Sequence, residues 1–314
     1  MASRLGPLMI RYPQRGAALV TALLVVALAV AAVVPWLSRE RVAIASTANL
    51  NDWLQARLVG RGLELWAKTV LARDGAAGSV DHLGEEWAIP VAQLAIERGR
   101  ISGALVDAQG RMNLNSLMAA DGYPDPLAVA RFGRLLEAVG LEPRLTSAML
   151  DWMDEDEIVS GTAGAESAHY ANAEQPYRAA NAEFAAVSEL RLVAGFDAAS
   201  VARLTPYVSV LPGATAVNVN TAPPAVLQAL TGADKTSVQA FAAQRKTRPF
   251  SGPDELAQTP LFAGGRVELD GLDVSSHWFE LKARIELPRA ASSHFALINR
   301  TGERAKVLRR RFGP

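Results

Sequence analysis

A long apolar stretch lies near the start of the chain, over 17–37. Thr21 is its one polar side chain. A run of about 20 apolar residues is long enough to cross a bilayer as a helix. Ahead of it stand three arginines and no acidic residue, at Arg4, Arg11 and Arg15. By the positive-inside rule, this pattern predicts a single membrane span over 17–37, with the rest of the chain exported from the cytoplasm.

Beyond the span, apolar residues recur at three- and four-residue spacing as far as Arg73, which predicts that the membrane helix continues as a long amphipathic helix. Turn residues over 74–79 then end it. Short runs typical of strands follow near both ends of the remaining chain. They lie at 87–90, 93–97 and 100–107, and later at 278–287 and 294–307. The pattern predicts one long helix beside a small antiparallel sheet.

The middle of the chain is rich in Ala and Leu with helical periodicity, and two of its segments echo each other. Asn-Leu-Asn-Ser at 113–116 and Asn-Val-Asn-Thr at 218–221 each precede an apolar periodic stretch. Because Asn, Ser and Thr are favoured helix N-caps, the two tetrads predict helices over 129–139 and 224–230. We interpret the middle as a duplicated helical module whose first copy carries an insertion over about 151–183.

Composition narrows the chemistry that the chain can perform. Its 314 residues are half hydrophobic, which allows a sizeable core, and 32 basic residues balance 32 acidic ones. Zero net charge gives no global electrostatic case for binding nucleic acid. The absence of cysteine excludes disulfides, zinc–thiolate sites and thiol catalysis. The four histidines stand in unrelated contexts and no common catalytic motif is present, so we expect no enzymatic activity.

Three interpretations of the N-terminus compete. A secretory signal would be cut after an Ala-x-Ala site, which 27–29 or 29–31 could supply, although its apolar core would be shorter than this one. An uncleaved anchor fits the length of the apolar run. A prepilin-type leader would be cut on the cytoplasmic side after Gly16, leaving the whole apolar helix on the mature protein. Arg15 and Gly16, placed directly before the run, favour this third interpretation.

An acidic segment in the middle of the chain carries metal-binding chemistry. Six carboxylates and no basic residue lie between Asp151 and Glu166, both included. Carboxylates at this density repel one another unless they are solvated or share a cation. Gly161 and Gly164 make the segment flexible enough to gather oxygen ligands around one point. The segment lacks the spacing of an EF-hand loop, and the alternative is a solvated acidic loop.

Arg15 and Gly16, followed by the apolar run, resemble the start of the type II secretion minor pseudopilin K family, also called general secretion pathway protein K. The resemblance continues in order and spacing through 107–117, 150–156, 164–166, 188–195 and 218–222. It implies cleavage by prepilin peptidase between Gly16 and Ala17, with methylation of the new N-terminus. Most pilin-like proteins carry glutamate at the fifth mature position. Here that position is Thr21, as the family shows, which suits a subunit with no neighbour above it.

By the same resemblance, the acidic segment is a calcium-binding loop. The ligands that it implies are Asp154, Asp156 and Glu166, then Asp151 and Glu157. Three residues that follow are expected to pack against the loop and hydrogen-bond to it, namely Tyr170, Tyr177 and Asn181. Calcium is thus the one cofactor that the resemblance implies.

The resemblance implies an α+β fold. A pilin-like N-terminal spine helix, transmembrane in its first part, would join a small antiparallel sheet, with a large all-helical region of two SAM-like or helix-hairpin-helix-like modules inserted. The divisions that follow are a leader at 1–16, the transmembrane spine at 17–37, the periplasmic spine with the first strands at 38–110, the first helical module with the calcium loop at 111–213, the second module at 214–275 and the last strands at 276–314.

The resemblance also implies a function, that of a non-enzymatic minor pseudopilin capping the tip of the type II secretion pseudopilus. Its partners would be the I and J minor pseudopilins, other pseudopilus subunits, prepilin peptidase and the inner membrane, with the bulk of the chain in the periplasm and no nucleic acid bound. The alternative is a membrane-anchored DNA-binding protein, since 218–222, 230–233 and 245–250 are also similar to helix-hairpin-helix units of competence proteins. Asp234 stands where such a unit would carry a glycine that faces phosphate.

The C-terminal end of the chain is basic. Its cationic residues are Arg304, Lys306, Arg309, Arg310 and Arg311. This segment is either a solvated final strand or a surface that faces an acidic partner, and the sequence leaves both interpretations open.

Overall fold

The computed structural model describes residues 15–262 and 268–313, so the predicted leader lies outside the described residues except for its last two positions. The chain divides into two compact units. One contains residues up to Gln55 with Pro288–Ala290, and the other contains Ala56–Leu287 and Ala291–Pro314. The sheet, the helical modules and the candidate sites described below all belong to the second unit.

The helices and strands in chain order are as follows. The strands are β1 (Val91–Ile96), β2 (Gly99–Asp107), β3 (Met112–Asn113), β4 (Val208–Ser209), β5 (Val217–Asn218), β6 (Leu272–Asp273), β7 (Trp278–Leu287), β8 (Ala290–Thr301) and β9 (Arg304–Gly313). The helices are α1 (Arg15–Ala77), α2 (Pro126–Ala138), α3 (Leu145–Met153), α4 (Ser167–Tyr170), α5 (Ala198–Leu204), α6 (Pro224–Thr231), α7 (Lys235–Thr247) and α8 (Pro253–Ala257). Short 3₁₀-helices lie at Glu86–Ala88, Leu114–Leu117, Val187–Leu192 and Thr205–Tyr207.

Helix α1 contains the apolar run and continues well past it. It is 63 residues long and stays helical through Pro35. The large apolar side chains over 19–37 are exposed, and an 18-residue window of the helix has a mean hydropathy of 2.9. By length and composition the helix is a candidate membrane span.

Five strands form the main sheet, in the order β1-β2-β7-β8-β9. The pairs β1 with β2, β2 with β7, and β8 with β9 are antiparallel. The last strands of the chain thus return beside the first ones, with the helical region inserted between β2 and β7. The predicted combination of one N-terminal apolar helix, an antiparallel sheet and a mixed helix and sheet fold is confirmed.

Two strand predictions were wrong in detail. Residues 87–90 form no strand, because Trp87 lies in the 3₁₀-helix Glu86–Ala88, where it is buried against the Phe279 ring, with ring centroids 5.1 Å apart. Its indole N–H donates to Glu85 Oε2 at 2.7 Å. Residues 294–307 form two strands, because the chain turns at Gly302, where φ is +56°. Positive φ is the conformation that glycine adopts without a steric cost.

One face of the sheet packs against α1. Every second residue of β7 from Phe279 to Leu287 is buried, as the period of a strand requires, and meets the apolar stripe of the helix. The buried cluster contains Ala67, Val70, Leu71, Trp87, Leu105, Phe279, Leu281, Ala296 and Ile298. The alternate residues, Glu280 and Lys282 among them, belong to the opposite face of the sheet.

The two polar tetrads play equivalent parts in the two helical regions, but they do not cap the predicted helices. Asn115 Nδ2 donates to the Phe184 carbonyl at 3.1 Å, and the Phe184 N–H donates back to Asn115 Oδ1 at 2.8 Å. Asn220 forms the same reciprocal pair with Phe250, at 2.9 and 3.0 Å. Asp125 caps α2, and α6 begins without a side-chain cap. Both asparagines are buried, so each uses its amide to fix a distant backbone segment.

Candidate metal centre

Helix α3 supplies the first carboxylate of the acidic segment. Asp151 lies in its last turn and is fully buried, and the Asp154 N–H closes the helix by donating to the Leu150 carbonyl at 2.9 Å. The chain then loops outward and returns at Glu166, which is 2% exposed and stands directly ahead of α4. This path brings Asp151, Asp154 and Glu166 together.

The three side chains face one point. One carboxylate oxygen from each of Asp151, Asp154 and Glu166 lies within 4.8 Å of the other two. The Ser160 N–H donates to both oxygens of Asp151, at 3.0 and 3.1 Å. A Cβ atom at residue 164 would overlap the Asp151 carboxylate and the Ser160 carbonyl, so the close return of the loop requires Gly164.

Burial and like charge raise the pKa values of these groups. Desolvation, followed by the charges of Asp151 and Asp154, raises the pKa of Glu166 to about 7. Desolvation, followed by the charges of Asp156 and Asp151, raises the pKa of Asp154 to about 6. Both oxygens of Glu166 and Oδ1 of Asp154 are buried without a hydrogen-bond partner. Among residues 15–262 and 268–313, no basic side chain pairs with any of the three.

These orphaned oxygens fit a hard divalent cation. Buried charged oxygens are costly unless they are paired or coordinate a metal. Calcium binds six to eight oxygens at roughly 2.3–2.6 Å, and carboxylates and backbone carbonyls are its usual protein ligands. The donor set of Asp151, Asp154 and Glu166 is therefore chemically suited to calcium, with the remaining ligands left to the loop backbone and water.

Two of the predicted ligands lie apart from this group. Asp156 is exposed, and its Oδ1 accepts a hydrogen bond from the Ile158 N–H at 2.7 Å. Glu157 is exposed as well. The structure thus assembles Asp151, Asp154 and Glu166 and leaves Asp156 and Glu157 exposed on the outer part of the loop. Both still add negative charge that acts on Glu166.

Asn181, which the resemblance places beside the acidic loop, contacts the end of α3. Its Oδ1 is buried without a hydrogen-bond partner, its backbone has a φ of +44°, and its N–H donates to the Trp152 carbonyl at 3.0 Å. A non-glycine residue in this left-handed conformation marks a constrained position. The unpartnered amide oxygen makes Asn181 a further candidate ligand, a role different from the packing that the resemblance implies for it.

Three aromatic rings, those of Trp152, Tyr170 and Tyr177, pack together next to the carboxylates. Trp152 meets Tyr170 edge-on at 5.3 Å between centroids, and Tyr170 stacks on Tyr177 at 5.0 Å. The Tyr177 hydroxyl donates to the Leu192 carbonyl at 2.8 Å, and the Tyr170 hydroxyl accepts from the Ala194 N–H at 3.2 Å. The tyrosine hydroxyls thus hydrogen-bond to Leu192 and Ala194, well beyond the acidic loop. The expected hydrogen bonds of these side chains to the loop itself stay a prediction.

A second group of carboxylates lies at the end of α1. Oxygens of Asp74, Asp81 and Glu85 also come within 4.8 Å of one another. Here the guanidinium of Arg300 pairs with Asp74, and its Nη2 lies 2.6 Å from Asp81 Oδ2. Arg300 Nη2 also donates to the Ser276 carbonyl at 2.8 Å. No local pattern in the sequence predicts this group, because its cation comes from more than 200 residues further along the chain.

The structure does not support the DNA-binding alternative. Asp234 caps helix α7 by accepting from the N–H groups of Thr236 and Ser237, at 2.9 and 3.1 Å. A carboxylate therefore occupies the backbone donors that a phosphate would need. Arg245 is buried and donates to the carbonyls of Val219 and Ala222, so it serves packing within the second helical region.

Comparison with known proteins gives a consistent result. Residues 110–213 and 217–275 match two family models, both described as type II secretion system (T2SS), protein K. The type II secretion system protein K of Pseudomonas aeruginosa is 33% identical over 288 residues, which cover 88% of this chain and 86% of that protein. Its counterpart from Klebsiella pneumoniae is 34% identical over 325 residues, which cover 96% of this chain and 97% of that protein.

A solved structure agrees with the sequence matches. A chain of the crystal structure of the GspK-GspI-GspJ complex from the enterotoxigenic Escherichia coli type 2 secretion system superposes with a TM-score of 0.75 at 27% sequence identity, covering 85% of this chain and 99% of that chain. The fold and the sequence therefore point to one family, as the N-terminal junction and the acidic segment predicted. The chain belongs to the type II secretion system protein K family and has the role of a minor pseudopilin.

Proposed function

We propose that this minor pseudopilin stands at the tip of the type II secretion pseudopilus as a non-enzymatic assembly subunit, with the I and J pseudopilins as its neighbours. The observation that carries the proposal is the helical region inserted between β2 and β7. Because Asp107 pairs with Phe279 across these adjacent strands, the insert leaves and re-enters the sheet at one end. A subunit with so large a head can add neighbours below through its helix while blocking addition above.

The related crystal structure contains GspI and GspJ in complex with GspK, which supports the two partners. The test uses the full-length chain, tagged and extracted in detergent. Both the I and J pseudopilins should co-purify with it, and labelled chain should be found at filament ends. Uniform labelling along the filament would contradict the tip position, and failure to recover I and J would contradict the partners.

Thr21 fits a subunit with nothing above it. Its hydroxyl is exposed on α1 and donates to the Ala18 carbonyl at 3.0 Å, so it satisfies itself within the helix. A carboxylate at this position would lie in the apolar run without a cation, which is costly in lipid. Thr21→Glu should therefore give no gain in incorporation, while Thr21→Ser should assemble normally. Enhanced incorporation of Thr21→Glu along the shaft would overturn the tip assignment.

Processing at the N-terminus follows from the same function. Prepilin peptidase would cut between Gly16 and Ala17, and the new N-terminus would be methylated, leaving the apolar helix as a single inner-membrane span with the bulk of the chain in the periplasm. Gly16→Val should leave an unprocessed precursor, because the residue before the cut must fit closely in the peptidase. Sequencing of the mature chain should begin at methylated Ala17. A start at residue 30 or 32 would instead establish a secretory signal.

Calcium is the cofactor that suits this periplasmic subunit. Asp151, Asp154 and Glu166 would hold it, and its charge would offset the repulsion among the three carboxylates. Terbium, a luminescent substitute for calcium, tests this directly, because Trp152 follows Asp151 in the chain and can sensitise terbium emission. Emission should appear on adding terbium to full-length protein and disappear on adding excess calcium.

A matched pair of variants assigns that signal to the site. Asp154→Ala with Glu166→Ala should abolish the terbium emission, because both side chains belong to the converging group. Asp156→Ala with Glu157→Ala removes the same charge from the outer loop and should retain it. Equal loss in both pairs would show that terbium reports only the general negative charge of the loop.

The two helical regions, in this proposal, are SAM-like modules related by duplication. The reciprocal amide pairs of Asn115 with Phe184 and of Asn220 with Phe250 support it, since each follows a two-residue parallel strand pair. In the second module the pair spans 30 residues, whereas in the first it spans 69. The longer first module contains the acidic loop, so the duplication would leave room for the metal centre in one copy.

A further inference from the structure

A groove of about 610 Å³ lies between the sheet and the first helical region. One wall consists of residues 185–191 with part of α5, and the other consists of β7, β8 and the basic strand β9. Its volume falls within the roughly 300–1,000 Å³ of typical ligand clefts. The proposed tip function does not use this groove.

The lining of the groove is strongly basic, although the chain as a whole has no net charge. Six basic residues and one acidic residue line it, the basic ones being Arg111, Arg191, Lys282, Arg309, Arg310 and Arg311. The acidic residue, Glu280, is shared between Arg111 at 2.8 Å and Lys282 at 3.1 Å. Basic residues thus outnumber acidic ones six to one in the groove, whereas the two are equal in number over the whole chain.

Several of these cations have no acidic partner. Arg310 pairs with Glu64 on α1, but Arg191, Arg309 and Arg311 form no ion pair within residues 15–262 and 268–313. Arg309 donates to the Ala185 carbonyl across the groove, and the Arg311 guanidinium lies 4.9 Å from the centre of the Phe295 ring. Both guanidinium groups are thus held at the groove while their charge stays uncompensated.

Arg111 gives an independent indication that the groove receives an anion. It is 8% exposed, and its Nε is buried without a hydrogen-bond partner. Among the described residues its one ion pair is with Glu280, which Lys282 also shares, while Nη1 donates to the Val208 carbonyl at 3.3 Å and Asp107 lies near enough to interact with its charge. A buried guanidinium is retained at a cost unless its donors are satisfied, so a second anion at this point would complete its environment.

Apolar residues between the cations define the class of ligand. Val187, Val201, Val210, Phe295 and Leu297 also line the groove. Phosphodiester chains present anions without aliphatic groups, whereas a peptide can place carboxylates and aliphatic side chains alternately. Arginine forks match carboxylates with two parallel hydrogen bonds. We propose that the groove binds an acidic segment of a partner protein, in which aliphatic residues separate the carboxylates.

The test uses full-length protein in detergent and a fluorescein-labelled peptide of sequence Glu-Leu-Glu-Glu-Leu-Glu, measured by fluorescence anisotropy. The peptide should bind, and its affinity should fall as salt rises from 50 to 300 mM, an expected loss of roughly tenfold for a few ion pairs. The Lys-Leu-Lys-Lys-Leu-Lys counterpart should not bind, and a Gln-Leu-Gln-Gln-Leu-Gln peptide should bind at least tenfold more weakly. Equal binding of the glutamine peptide would overturn the proposal.

Strand β9 offers a matched control. Arg309→Glu with Arg311→Glu reverses charge inside the groove and should weaken the acidic peptide at least tenfold. Arg304→Glu with Lys306→Glu makes the same change on the same strand outside the groove and should stay within twofold of the original chain. An equal loss of peptide affinity in both double variants would show that the peptide responds only to general surface charge. That result would contradict binding in the groove.

A variant from the opposite wall keeps the test decisive if the β9 variants fold poorly. Arg191 is exposed on the 3₁₀-helix Val187–Leu192, and Arg191→Glu should weaken the peptide at least threefold with an unchanged melting temperature. No effect of Arg191→Glu would contradict the proposal. Tighter binding of a short oligothymidylate than of the acidic peptide would do so as well, since it would identify the groove as a phosphate-binding surface.

Discussion

The two carboxylate clusters of this protein are alike in composition and differ in the origin of the charge that balances them. Asp74 and Asp81 pair with Arg300 of the same chain. Asp151, Asp154 and Glu166 converge just as closely, yet within residues 15–262 and 268–313 they have no basic partner. The first cluster therefore contains its own counter-charge, whereas the second, in our proposal, is balanced by a calcium ion.

The two clusters should differ in how firmly they hold the chain segments that they join. Asp81 also accepts a hydrogen bond from the Ser276 N–H at 2.6 Å, so the Arg300 cluster joins the end of the spine helix to the sheet under all conditions in which the protein is folded. The Asp151 cluster joins the end of α3 to a long loop, and under the calcium proposal its contribution to stability would depend on the calcium concentration. The Arg300 cluster would thus fix the end of α1 whenever the protein is folded, whereas the Asp151 cluster would order its loop only when calcium is bound.

The largest effect should come from breaking the internal pair. Arg300→Met leaves Asp74 and Asp81 without their cation, and removing one partner of a buried pair costs about 3–5 kcal/mol. Chemical denaturation of the full-length protein measures this loss. Arg248→Met is the control, because Arg248 is 79% exposed in its pair with Glu255 and such a pair contributes about 0–1 kcal/mol. Similar losses of unfolding free energy in both variants would show that the buried Arg300 pair contributes no more than an exposed one.

Calcium removal should have the next largest effect. A ligand that binds only the folded state stabilises it by roughly 2.7 kcal/mol at a concentration one hundred times its Kd. Chelation should therefore lower the melting temperature and expose the 154–166 loop to protease. Asp154→Ala with Glu166→Ala should remove both responses, whereas Arg300→Met should preserve the calcium response of whatever protein remains folded. Melting that is indifferent to chelator would leave the acidic segment as a solvated loop.

A pH titration sharpens the comparison further. The folded-state pKa of Glu166 is raised to about 7 and that of Asp154 to about 6, so the calcium-free folded state binds protons more tightly than the unfolded chain. The contribution of these two groups to the stability of the calcium-free protein should be most favourable below about pH 4. It should become less favourable as pH rises through about 6 and 7. Calcium competes with those protons, so its affinity should drop several-fold between pH 7.5 and 5.5 by calorimetry. A flat affinity across this range would contradict the assignment.

The smallest effect should come from neutralising one ligand. Glu166→Gln removes a charge that burial and Asp151 disfavour, so the calcium-free protein should gain up to roughly 1 kcal/mol at pH 8. The same variant should bind calcium much more weakly, which reverses the order of stability once calcium is added. Glu157→Gln, on the exposed part of the loop, should change neither quantity by more than a few tenths of a kcal/mol.

Local patterns explain why much of the architecture could be predicted. The apolar run, the strand at 278–287 and the acidic segment each depend on residues that are close in sequence, and the structure places β7 at Trp278–Leu287. The strand predicted at 87–90 is wrong because the conformation there depends on a tertiary contact, the packing of Trp87 against Phe279. The asparagine tetrads do not cap the predicted helices, although Asn113 caps the 3₁₀-helix Leu114–Leu117. Their amide partners, Phe184 and Phe250, lie 69 and 30 residues away, beyond the reach of a local pattern.

The sequence by itself determined the candidate membrane span, the family and the candidate calcium loop, because hydrophobic run length, leader chemistry and charge density are all local properties. Only the tertiary structure decided which carboxylates meet. It brought Asp151, Asp154 and Glu166 within 4.8 Å of one another and left Asp156 and Glu157 in solvent. It also delivered Arg300 to Asp81 across 219 residues, because the antiparallel return of the last strands sets which distant side chains share a buried site.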